Sequence, residues 1–177
     1  MDGLLVDNLA GLCLFDNISK EEFLERRKVF DAVPDKPFDF VIDRIRAHLF
    51  TNLCFINIPP LPEFYVFLDL IQFWISQGKS VQILSSGTRH EDIFSEICRQ
   101  KTIWSDHHHL RILPKNYAKG SKDKIRWARE GVLLLDDHEA NIKRFTKAGG
   151  HAIRHTNIHN TLLELEKYGL CPNTNRS

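Results

Sequence analysis

Two adjacent carboxylates, Asp136 and Asp137, end an unbroken apolar run in "GVLLLDDHEANIKRFTKAGG" (131–150). Like charges side by side repel and each prefers water, so their placement where a buried strand ends needs a cation or a reaction to justify it. Three other stretches carry groups suited to the same chemistry. "LLVDNLAG" delivers Asp7, "ILSSGTR" delivers Ser85, Ser86 and Arg89, and "KGSKDKIRWARE" supplies Lys119, Lys122 and Lys124. Carboxylate oxygens suit a hard Mg²⁺ ion, lysine and hydroxyl donors hold phosphate oxygens, and a free aspartate can attack phosphorus to give an acyl phosphate. This inventory points to Mg²⁺-assisted phosphoryl transfer.

Such groups must be brought together by a scaffold. Short apolar runs alternate with segments of helical period, the pattern of an α/β protein with a mainly parallel sheet covered on both faces. The predicted strands are 4–6, 80–85, 110–113, 132–136 and 151–155. In open parallel sheets ligands bind beyond the carboxyl ends of the strands, where Asp7, Ser85, Ser86, Asp136 and Asp137 are placed by this reading. "EFYVFLDLIQFWISQG", "EANIKRFTKAGG" and "TLLELEKYG" read as helices closed by Gly78, Gly149 and Gly169. Residues 17–60 differ. They hold two helical stretches, "SKEEFLERRKVF" opened by a Ser19/Glu22 capping box and "DFVIDRIRAHLF", around the turn-like "VPDKP". The division predicted is a core of residues 1–16 and 61–177 with a small helical cap, 17–60, inserted after the first strand.

The order Asp7, Ser85, Lys124, Asp136–Asp137 resembles the four motifs of the haloacid dehalogenase-like (HAD) hydrolase superfamily. "LLLDDHEANIKRFTKAGGHAIRHTN" and "HLFTNLCFINIPPLPEFYVFLDLI" are similar to the 5'(3')-deoxyribonucleotidase branch and its bacteriophage relatives. The resemblance implies a HAD-like doubly wound sheet and a Mg²⁺-dependent phosphohydrolase of small phosphomonoesters, with a nucleoside 5'-monophosphate as substrate and an aspartyl-phosphate intermediate. Asp7 then matches the nucleophile, Ser85 and Ser86 the phosphate contacts, and Lys124 the site lysine, with Lys119 and Lys122 within a register error. The metal ligands implied are Asp7, Asp136, Asp137 and the backbone carbonyl at Leu9.

Leu9 is also the departure. The superfamily's first motif is D-x-D, and its second aspartate protonates the leaving oxygen before activating water. Leucine carries no proton, and general acid–base assistance contributes about 10²–10⁴-fold in rate. Three readings stay open: Asp16 or His138 reaches the leaving oxygen instead; the substrate needs little protonation, or the acyl phosphate is preserved for transfer; or the chain is a catalytically impaired relative that binds a nucleotide or a protein partner without efficient turnover.

Composition narrows the alternatives. With 24 basic and 23 acidic side chains among 177 residues, no global field recruits nucleic acid or an anionic membrane. The four cysteines, Cys13, Cys54, Cys98 and Cys171, lie far apart without a C-x-x-C pair and no signal peptide is evident, which reads as free thiols in the cytoplasm. His107, His108 and His109 in a row read as a loop, since neighbouring residues of a strand face opposite ways, and the turn-like residues between His155 and His159 argue against a helical metal pair. Arg89 reads equally as a surface residue or a phosphate contact. Phe15, Phe23, Phe30, Phe38 and Phe40 offer either a core or a surface on which a base could stack. A response-regulator receiver is rejected because its acidic pair precedes its phosphoacceptor, the reverse of the order here.

Overall fold

The computed structural model describes residues 5–6, 12, 15–32, 40–51 and 53–172. Asp7, Leu9, Cys13 and Phe38 lie outside the described residues. The chain is a mixed α/β protein with short parallel sheets. It forms two compact units, one of Met1–Val6, Pro60–Gly87 and Leu113–Ser177, the other of Asp7–Pro59 and Thr88–Ile112.

The first unit holds every described strand. Strand β1 (Ile83–Ser86) pairs in parallel with β2 (Lys115–Ala118), and β3 (Leu133–Asp136) pairs in parallel with β4 (His151–Arg154). The predicted strand at 110–113 is not one. Leu110 and Leu113 are buried, but Leu110 N–H donates to Ser105 O and closes the end of a helix. The strand forms instead from the polar "KNYA", whose pairing with β1 and one buried residue, Ala118, carry it. Of the predicted first strand, 4–6, the structure describes Leu5 and Val6: Leu5 C=O accepts from Leu61 N–H, and Val6 forms an antiparallel bridge with Pro60.

Three helices complete this unit. Helix α3 (Phe64–Ser76) buries Phe64, Phe67 and Leu70, spaced three apart along one face, and its Trp74 Nε1–H donates to Leu170 O at 2.6 Å. Gly78, at φ +71°, ends it, with Lys79 N–H returning to Trp74 O. Helix α5 (Glu139–Lys147) buries Phe145 and closes at Gly149, φ +91°. Helix α6 (Ile158–Lys167) is capped by Asn157, whose side chain accepts from Asn160 N–H. Residues Ser121–Trp127 form a 3₁₀ segment, η1, whose entry is fixed by Gly120 N–H donating to the Asp123 carboxylate at 3.1 Å.

The second unit is helical among the described residues. Helix α1 (Lys20–Asp31) is opened by Ser19, whose Oγ accepts from Glu22 N–H at 3.1 Å; the Glu22 carboxylate pairs with Arg26. Helix α2 (Phe40–Leu49) packs on it through Phe40, which meets Phe23 at 5.3 Å and Phe30 at 5.5 Å between ring centroids. Those phenylalanines therefore serve as core. Helix α4 (Glu91–His107) belongs here rather than with the strands, a boundary different from the one read off the sequence. The reason is its buried face. Trp104 is wholly buried and donates to Ile58 O at 2.7 Å, while Gln100 donates to Leu49 O at 2.6 Å and accepts from Phe55 N–H at 3.1 Å. Side chains of α4 thus satisfy the backbone of the irregular stretch that follows α2.

Candidate functional site

Burial separates the two aspartates of the acidic pair. Asp136, the last residue of β3, shares strand parity with buried Leu134 and is itself buried, whereas Asp137 lies beyond the strand and is exposed. Asp136 Oδ2 accepts from Lys124 Nζ at 2.7 Å. Its Oδ1 accepts from His138 N–H and Asn141 Nδ2–H, each at 2.9 Å. The carboxylate thereby closes the start of α5, where free N–H groups and the helix dipole favour a negative charge.

The electrostatics follow from these contacts. Burial raises the Asp136 carboxyl, but the Lys124 charge and hydrogen bond, the Asn141 amide and the His138 N–H together outweigh it and hold the group below its ordinary range. Of the three lysines within register, Lys124 is the buried one that meets Asp136; Lys119 and Lys122 are exposed. Asn141 was not among the residues singled out from sequence. It lies five positions after Asp136, and its Oδ1 is a buried acceptor without a hydrogen-bond donor among the described residues.

The serines end the other strand pair. Ser85 is fully buried on β1 and Ser86 half-buried, with Gly87 N–H donating to Ala118 O at 2.8 Å. Ser85 and Asp136 thus both stand at the carboxyl ends of parallel strands in one unit. Arg89 falls in the second unit and is exposed. The structure unites Lys124 with Asp136 and brings in Asn141; it does not join Arg89 or Asp137 to that group by any hydrogen bond or ion pair among the described residues.

A carboxylate supplies about four lone-pair sites, and the three donors on Asp136 leave one on Oδ2. That position and the orphaned Asn141 Oδ1 are oxygen ligands of the type Mg²⁺ takes. The described residues hold no cluster of three or more His, Cys, Asp or Glu side chains close enough for a metal. Asp7 is outside them.

His155 follows β4 and donates its backbone N–H to Asp136 O at 2.9 Å. Its Nδ1 lies 2.8 Å from Thr161 Oγ1, and that hydroxyl donates to Asn157 O at 3.0 Å. A Thr161 hydroxyl that gives its proton to Asn157 O accepts from Nδ1–H, the tautomer that leaves Nε2 the base nitrogen. Burial lowers the imidazole pKa against the opposing pull of Glu63 and Asp137. His159, in α6, is exposed, so the two histidines do not share one site.

Asp16 was one candidate to replace the proton donor missing at Leu9. Its buried carboxylate is held by Arg44 through both oxygens and by His48 Nε2 at 2.6 Å. Burial raises its pKa, but the Arg44 and His48 hydrogen bonds and charges prevail and keep it ionised. Such a group has no proton to offer near neutrality.

No family model, curated protein or solved structure matches this chain. No described helix is long and apolar enough to cross a membrane.

Proposed function

We propose that this chain is a Mg²⁺-dependent phosphohydrolase of the HAD type, with a nucleoside 5'-monophosphate as its substrate. The observation that carries the reading is the buried Lys124–Asp136 pair at the carboxyl end of a parallel strand. A second parallel pair, ending in Ser85 and Ser86, supports it, and the two pairs are read as parts of one doubly wound sheet. Asp7 attacks phosphorus, the ester oxygen departs, and water opens the aspartyl phosphate. Lys124 holds the charge of Asp136 and donates to phosphate, and Ser85 and Ser86 donate to phosphate oxygens. Asp136, Asp137, Asp7 and the Leu9 carbonyl would hold Mg²⁺, which supplies Lewis-acid neutralisation of the phosphoryl oxygens.

Turnover of a panel of nucleoside monophosphates and aryl phosphates, with and without Mg²⁺, tests this directly. The reading expects Mg²⁺-dependent release of phosphate that is lost in Asp7→Asn. Absence of turnover, together with calorimetry that shows no Mg²⁺ heat, refutes it. A second reading, nucleotide binding without efficient turnover, is favoured by the three donors already placed on Asp136, which neutralise it without an ion. Nucleotide binding without phosphate release identifies that case. A gain of activity in Leu9→Asp locates the deficit in the proton donor.

A further inference from the structure

The 3₁₀ segment η1 distributes its side chains against the usual order. Its one buried residue is Lys124, while the neighbouring Ile125 is 43% exposed. Burying an ammonium and exposing a branched hydrocarbon is the reverse of what stability favours, so apolar packing alone does not explain how η1 turns. Seven residues are also long for a 3₁₀ run, whose hydrogen bonds are poorer than those of an α-helix. The segment nonetheless follows β2 by two residues, packs against β1, β2 and α5, and sends Lys124 to the end of β3.

Hydrogen bonds at its entry supply the missing constraint. Asp123 N–H donates to Gly120 O at 2.9 Å, and Gly120 N–H donates to the Asp123 carboxylate at 3.1 Å. The two bonds lock the turn, and the next residue is Lys124. With three residues to the turn, directions along η1 are set in steps of about 120° from its start, so a carboxylate fixed at 123 fixes the direction in which residue 124 leaves. Arg126, 3.9 Å from Asp123 and largely exposed, lends little to this. Upstream, Ala118 is the register partner of Ser86 and accepts from Gly87 N–H at 2.8 Å. One run of backbone, 118–124, thus leads from the serine end of the β1–β2 pair to the lysine on Asp136.

We propose that Asp123 is the positioning residue of the site lysine: its carboxylate, acting as an acceptor rather than as a charge, holds the Gly120–Asp123 turn that aims the Lys124 ammonium at Asp136 and at a phosphate bound there. Its part in turnover rests on the reading of Lys124 as the lysine that contacts phosphate. The aim of the ammonium itself is measurable without turnover.

The test compares the full chain with Asp123→Ala, Asp123→Asn and Asn157→Ala by NMR of the lysine ammonium groups, reading how fast the Lys124 ammonium protons exchange with water; the Lys124 signal is the one that Lys124→Met removes. Asn157→Ala takes an equivalent acceptor from the start of α6 instead. In Asp123→Ala the Lys124 protons should exchange at least about fivefold faster, the factor one net hydrogen bond supplies. Asp123→Asn, whose amide oxygen still accepts from Gly120 N–H, should restore the wild-type rate, and Asn157→Ala should leave it unchanged. Unchanged exchange in Asp123→Ala, equal acceleration in Asn157→Ala, or no restoration in Asp123→Asn overturns the proposal. Where phosphate is released, kcat should fall by a similar factor in Asp123→Ala with KM unchanged, and recover in Asp123→Asn. A wild type that releases no phosphate while its ammonium responds as expected refutes the enzymatic reading and leaves the positioning of Lys124 established.

Discussion

Replacing Lys124 with methionine keeps most of the aliphatic stem and removes the ammonium that meets Asp136. The side chains of the pair are 9% and 3% exposed, so water cannot take the ammonium's place without entering the core. Breaking a buried ion pair from one side costs about 3–5 kcal/mol. His138 N–H and Asn141 Nδ2–H still hold Oδ1, and charge-assisted bonds of this kind contribute roughly 1.5–3 kcal/mol each, which places the loss at pH 7 near the lower bound, about 3 kcal/mol. Asp136→Asn strands the ammonium and costs a similar amount. The double variant Lys124→Met/Asp136→Asn buries no charge, and its amide oxygen still accepts both remaining donors. Urea unfolding of all four proteins should therefore give a coupling of about 2–3 kcal/mol, the double variant being far less destabilised than the sum of the singles.

The pH dependence provides an independent check of the same argument. In the wild type the folded-state pKa of Asp136 is depressed, so its stabilisation is complete above the unfolded carboxylate value of 3.8 and is lost as pH falls through the folded value. Without Lys124, burial dominates and the folded pKa rises, so the variant regains stability as Asp136 takes up a proton. The gap between wild type and Lys124→Met should be widest at neutral pH and close as the solution is acidified. Single variants that each cost under about 1 kcal/mol and add within about 0.5 kcal/mol, or a gap that does not change with pH, would refute the reasoning.

Other outcomes follow from local geometry. Gly150→Ala places a Cβ 2.3 Å from a Phe145 ring carbon that is itself buried, and should cost about 1–3 kcal/mol in urea unfolding. Ser19→Ala removes the acceptor for Glu22 N–H at the start of α1 and should cost about 1 kcal/mol, seen as faster exchange of that amide. The Cys54 thiol is pushed up to about 11, chiefly by burial, so iodoacetamide at pH 8 should leave Cys54 unmodified in the folded protein and alkylate it in denaturant, as read by site-resolved mass spectrometry.

The elements legible in the sequence are those where one local signal sufficed. The period of "EFYVFLDLIQFWIS", the apolar run before Asp136 and the glycines at 78, 149 and 169 each fix a helix face, a strand or a left-handed turn without reference to distant chain. The strand at 115–118 was hidden because its pairing, not its hydrophobicity, makes it a strand, and Leu110 and Leu113 drew the reading to the turn beside it. Helix α4 was hidden for a related reason: its most informative residues, Gln100 and Trp104, act by donating to backbone carbonyls about fifty positions earlier.

The acidic pair shows where sequence reasoning reaches its limit. Adjacency suggested two charges sharing one ion; in the structure Asp136, at the strand end, is buried against Lys124, while Asp137, beyond the strand, is exposed. What needs an explanation is narrower: why a buried carboxylate takes a lysine and two further donors at a strand end while the Asn141 oxygen beside it goes unmatched among the described residues. A purely structural pair would be served as well by apolar side chains, which replace buried ion pairs at little or no cost. A site that must receive a phosphate, a cation or both needs the charges present, already oriented, before either arrives.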